Sequence, residues 1–206
     1  MRGDLVAQYC NTALSASPDP LVVVLGRAFE AVGVLVSNVG ADQWSAATVC
    51  ADWNVRRLVD HLIGMNRVFT ALLADAPVPR TPAGDRLEED PVTAFRETSA
   101  ALMRAFGQPG VLARQYIGPL GTASGAERLQ IRLYDLLAHG WDLAHATGQP
   151  VDLPDDLVES SVAFARTQLA EQSRDLRFGP PQNVDENASA IERLVAFLGR
   201  SVTRAP

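Results

Sequence analysis

Three histidines occur in the 206 residues, and two of them stand where an imidazole can do more than pack. Placed on a helix at ~100° per residue, Arg128, Arg132, Asp135, His139 and Asp142 fall within an arc of roughly 80°. Asp135 and His139 are then one turn apart and side by side. His61 lies on the apolar face of another helical segment, within roughly 60° of Leu58, Met65, Val68 and Leu72. Its ring therefore points into a core and needs a partner there. A carboxylate and a histidine at i, i+4, with a second histidine from a facing helix, supply three nitrogen and oxygen donors. That set suits a divalent metal with one position left for water, a thiolate or substrate. Each half also has a plainer reading. A polar arc is the solvated face of many amphipathic helices, and a lone core histidine usually satisfies a carbonyl or a hydroxyl.

The neighbours extend the pattern. Asp142 either accepts a hydrogen bond from His139, fixing its ring, or pairs with a surface arginine. Arg128 and Arg132 are placed to bind a substrate carboxylate, or are solvated helix charges. His145 lies ~120° from His139 and belongs to the surface or the helix end. Cys50 reads as a buried thiol rather than a nucleophile, because nothing near it in sequence depresses its pKa. Cys10 lies in a weakly patterned N-terminus.

These residues must be carried by helices. Segments of helical period joined by Pro- and Gly-rich breaks account for nearly the whole chain, so the fold class is all-α. Helices are expected over about 20–38, from the N-cap Asn54 to about 75, over 91–106 and over 125–147, the last stopped by Gly148 and Pro150. Two more follow, about 155–172 and 187–198. Residues 111–124 either pair as a small ribbon or wander. Four helices of about twenty residues form a four-helix bundle, with the two additional C-terminal helices against its flank. Residues 1–19 read as an extension and 20–206 as one domain.

Composition excludes partners more readily than it names one. Twenty-four acidic against eighteen basic residues give a net charge of -6, and the basic residues are scattered, so no nucleic acid is expected. The longest apolar stretch, 21–36, is broken by Arg27 and Glu30 and reads as short of a spanning helix, so no membrane is expected either. Two cysteines and no secretory leader pattern point to a cytoplasmic protein, monomer or homodimer.

Three motifs go further. The run Cys50-Ala51-Asp52-Trp53-Asn54-Val55-Arg56-Arg57-Leu58-Val59-Asp60-His61-Leu62 resembles a helix signature of the DinB-like, mycothiol-dependent maleylpyruvate isomerase N-terminal family. The run from Arg132 to Gly148, containing His139-Gly140-Trp141-Asp142-Leu143-Ala144-His145-Ala146-Thr147-Gly148, is similar to its second signature. Phe178-Gly179-Pro180-Pro181 and Arg193-Leu194-Val195-Ala196-Phe197-Leu198-Gly199-Arg200 resemble the tail of its shorter, single-domain members. The resemblance spans about residues 20–200 and implies an up-down-down-up bundle with a metal on His61, Asp135 and His139. Asp135 stands where that family has glutamate, so an ion must sit closer to this helix or be reached through water.

The resemblance further implies zinc, with nickel or iron as alternatives, and mycothiol as the low-molecular-weight thiol. The activity it implies is a thiol-dependent S-transferase or isomerase acting on a small electrophile. It covers the first domain of the full isomerase, so a related reaction is expected rather than turnover of maleylpyruvate itself. Arg128 and Arg132, from their place on the helix, and Trp53, which either packs in the core or walls a pocket, are the candidates for contact with substrate or thiol. A metal- or small-molecule-binding bundle without turnover, such as a sensor or carrier, and a bundle with a degenerate metal site fit the same residues.

Overall fold

The computed structural model describes residues 18–79, 90–118, 121–171, 174 and 178–202. Cys10 and most of the expected N-terminal extension lie outside them. The helices are α1 (Pro20–Ser37), α2 (Val55–Leu73), α3 (Pro91–Phe106), α4 (Gly125–Thr147), α5 (Asp155–Glu171) and α6 (Ala190–Phe197). A ribbon of β1 (Gln115–Gly118) and β2 (Gly121–Ser124) joins α3 to α4, paired antiparallel from Gln115↔Ser124 to Gly118↔Gly121. Of the two expectations for this stretch, pairing is the outcome.

Short polar side chains set the helix starts. Asp19, Asn54 and Asp90 each accept from a backbone N–H of the first turn, at Leu21, Arg57 and Thr93. Ser124 with Glu127 and Ser189 with Glu192 form reciprocal capping boxes. The second box starts α6 at Ala190, three residues later than periodicity suggests. Gly148 closes α4 in the left-handed conformation, at φ 68°, where a side chain would be strained.

Inter-helix contacts fix the topology. Phe29 of α1 lies near Arg132 of α4, and Val32 near Gly140, so these two helices run parallel. Gly33 meets Phe95 and Gly26 meets Met103, so α1 and α3 are antiparallel. His61 faces residues 135 and 139 while Asn66 faces Arg132, so α2 and α4 are antiparallel. The order is up-down-down-up. Apolar faces of all four helices close one core containing Leu25, Val32, Leu58, Leu62, Leu102, Leu129, Leu136 and Leu143, and α5 and α6 pack on the flank through α4.

The spanning-helix expectation needs one correction. With 18 residues and a mean hydropathy of 1.8, α1 is long and apolar enough on composition to cross a bilayer. Its apolarity is used inside the protein: Leu25, Ala28 and Val32 are fully buried against α3 and α4. A glycine makes the tightest of these contacts, since a Cβ on Gly140 would lie 2.8 Å from Val32 Cγ2.

Candidate metal centre

The antiparallel pair α2 and α4 places His61 opposite Asp135 and His139. Asp135 Oδ1 lies 3.6 Å from His61 Nε2 and 3.6 Å from His139 Nε2, and the two rings meet edge-on at 4.8 Å. One donor atom from each residue falls within 4.8 Å of the others. Trp53, just before α2, covers both rings, 4.8 Å from His61 and 5.7 Å from His139. The side chains of His61 and Asp135 keep 26% and 19% of their surface exposed, although His61 Nε2 itself is buried.

These residues fit a divalent ion on two counts. His61 Nε2 is itself buried and has no hydrogen-bond partner, which is costly unless something binds there. Donors held at about 2.0–2.2 Å around a tetrahedral ion stand about 3.3–3.6 Å apart, and the two Asp135 contacts match that spacing. The shorter aspartate thus stands within direct-ligation spacing of each imidazole nitrogen.

Electrostatics prepare the donors. Burial acts to raise the Asp135 pKa, but the polar contact with His61 and the nearby His139 and Arg132 outweigh it and hold the carboxyl well below its usual range. Burial lowers the His61 pKa and keeps the ring neutral, with Asp135 opposing only in part. An ionised carboxylate and a neutral imidazole are the forms that bind metal.

Behind His139 lies a second cluster. Asp142, wholly buried, sits 2.9 Å from His139 Nδ1 through Oδ2. Burial works against its charge, yet the bonds from His139 and Arg200 bring its pKa down to about 2. An ionised carboxylate can only accept, so Nδ1 carries the proton of this contact and Nε2 is the ring nitrogen that faces Asp135. Arg200 completes the pairing, donating from Nε and Nη2 to the two Asp142 oxygens at 3.2 and 2.9 Å. Of the two expectations for Asp142, the structure realises both, with an arginine that is largely buried rather than on the surface. Cys50 is half-buried and donates its thiol to Asp142 Oδ2 at 3.2 Å. Burial and the Asp142 charge push its pKa up to about 12, so it stays a thiol.

The solvated alternative for the arginines is overturned. Neither Arg128 nor Arg132 is solvated: they are 1% and 0% exposed. Arg128 donates to the carbonyls of Tyr116 and Gly121 and ties the ribbon to α4, away from the three donors. Arg132 is beside them, but its N–H groups are engaged by Asp135, Asn66 and Leu62 O. The helical wheel located the arc correctly and could not see that α2 covers it. His145 is exposed and stacks on Trp141 at 5.0 Å, at the helix end as expected. Two residues were missed. Asn66 gave a signal, as the polar member of an apolar stripe of Val55, Val59, Leu62, Phe69 and Leu73 spanning roughly 80° of α2. Arg200 stood inside the tail motif.

The family model described as mycothiol maleylpyruvate isomerase N-terminal domain matches residues 25–144, more than half of the chain. The chain belongs to this family. The matched segment includes His61, Asp135, His139 and Asp142 and ends before Arg200. Two uncharacterized proteins from two strains of Mycobacterium tuberculosis are each 35% identical over 190 residues, covering 89% of this chain and 99% of theirs. Among solved structures, the mycothiol-dependent maleylpyruvate isomerase and a histidine-to-alanine mutant of it superpose with a TM-score of 0.56 at 13% identity. That match covers 69% of this chain and 66% of the isomerase structure, and it shows the shared DinB-like fold.

Proposed function

We propose that the protein is a thiol-dependent S-transferase or isomerase that joins a low-molecular-weight thiol, mycothiol, to a small electrophile. His61, Asp135 and His139 would hold the divalent ion, zinc in the first instance. The observation that carries this reading is the gathering of three donor atoms within 4.8 Å of one another, where the buried His61 Nε2 has no hydrogen-bond partner. When bound, the ion would supply the Lewis acidity that keeps a thiol ionised at neutral pH.

The chain's own residues fit the rest of the task. Asp142 fixes the His139 tautomer, so that Nε2 presents its lone pair toward the site. Both site carboxylates are already paired with a buried or largely buried guanidinium, Asp135 with Arg132 and Asp142 with Arg200. The carboxylates would therefore leave the charge of a bound ion largely uncompensated, which favours an anionic thiolate over a neutral ligand. Trp53 shields one side of both imidazoles from water. Cys50, held as a neutral thiol, supports a cosubstrate rather than a protein cysteine as the nucleophile.

The test is consumption of a panel of reactive electrophiles by zinc-loaded protein with and without mycothiol, against a His61→Ala variant. Thiol-dependent loss of electrophile with wild type and none above background with the variant supports the enzyme. Equal rates across the panel point instead to a bundle that binds metal or a small molecule without turnover.

A further inference from the structure

Arg132 is an arginine with no exposed surface in the middle of a helical bundle. Such a group is tolerated only when its N–H donors and its charge are both matched. Nη1 donates to Asp135 Oδ2 at 2.7 Å. Nε and Nη2 both donate to Asn66 Oδ1, at 3.0 and 2.8 Å, and Nη2 also reaches Leu62 O at 3.2 Å. Arginine has only donors, so Asn66 must turn its oxygen toward it. Its amide then donates to Thr98 Oγ1 and Ser99 Oγ of α3, at 3.2 Å each. The guanidinium lies 5.6 Å from the ring of Phe29 on α1. One side chain thus touches α1, α2 and its own α4, and reaches α3 through Asn66.

Two of these contacts bear on the metal centre. Asp135 has two oxygens, and Arg132 occupies one of them, leaving Oδ1 alone to face both imidazoles. Leu62 follows His61, so the bond to Leu62 O fixes the turn of α2 that carries the first histidine. We propose that Arg132 is a positioning residue that sets the centre's geometry, holding Asp135 to one-oxygen ligation and His61 in register with it. The inference rests on the metal-binding half of the proposed function. A lysine would keep the charge and lose the fork, since a point charge cannot hold Asp135, Asn66 and Leu62 O together.

Cobalt(II) is the probe, because its visible absorption reports coordination number and its affinity is measured by competition with a chelator. Wild type is expected to bind one equivalent with the intense spectrum of a four-coordinate ion. Arg132→Lys and Arg132→Met are expected to bind at least about tenfold more weakly and to show the weaker spectrum of higher coordination, as both Asp135 oxygens become free. Asn66→Ala, which keeps the arginine and its carboxylate, shifts both readouts in the same direction by less, and it decides the matter where the Arg132 variants do not fold. Variants with lowered melting temperature but wild-type affinity and spectrum would make Arg132 a stabilising residue only and overturn the proposal. That result leaves the proposed function standing, whereas wild-type protein that takes up no cobalt overturns both.

Discussion

At the residue scale the candidate centre holds its donor groups in the forms that a cation would need. His61 is kept neutral by burial, and Asp135 and Asp142 are kept ionised by their partners. The sign of the pH dependence follows. All three groups bind fewer protons folded than unfolded, so each contributes stability that is lost on acidification. For His61 the loss begins as pH falls below its unfolded pKa of about 6.5. For the carboxylates it begins near pH 4 and, for Asp142, continues to about 2. Melting temperature of metal-free protein followed from pH 8 to 3 should therefore fall in two stages. His61→Ala should remove the first, whose slope for one proton is at most ~1.4 kcal/mol per pH unit. Cys50 has the opposite forecast. A thiol pushed up to about 12 is not the nucleophile, so Cys50→Ser should keep thiol-dependent turnover and metal affinity, measured side by side with wild type.

At the element scale, what was legible in the sequence was what local chemistry decides. Asn54, Pro91, Ser124 and Gly148 set the limits of α2, α3 and α4, and these helices fall within about two residues of expectation. The α4 arc was legible as an angle and illegible as an environment: periodicity gives the side a residue faces, and only a neighbouring helix decides whether that side meets water. Arg132 was accordingly open to a solvated reading, though it is wholly buried against α2. Helix approach was equally hidden. Gly140 lets α1 come close to α4 beside His139, and a Cβ there would meet Val32 at 2.8 Å. Gly140→Ala should cost about 1–3 kcal/mol in urea unfolding despite alanine's better helix propensity, because the overpacked contact outweighs it.

At the scale of the whole molecule, the candidate centre extends beyond the bundle. The segment after α6 returns to the core, with Gly199 at φ 92° against Gly179, and delivers Arg200 to Asp142. Helical periodicity cannot report such a long-range return, and the family model ends before it. The tail motif in the sequence marked the residue without stating its contact. Removing Arg200 would leave the wholly buried Asp142 charge without its main cation. Arg200→Met should therefore destabilise the protein by about 3 kcal/mol in chemical unfolding and loosen the hold on His139.

The most direct test of the metal centre is calorimetric titration of untagged, metal-free protein with zinc. One equivalent should bind to wild type and raise its melting temperature, with both effects abolished in His61→Ala. Uptake below about one-tenth of an equivalent, with the melting temperature unmoved, would contradict the assignment of His61, Asp135 and His139 as ligands.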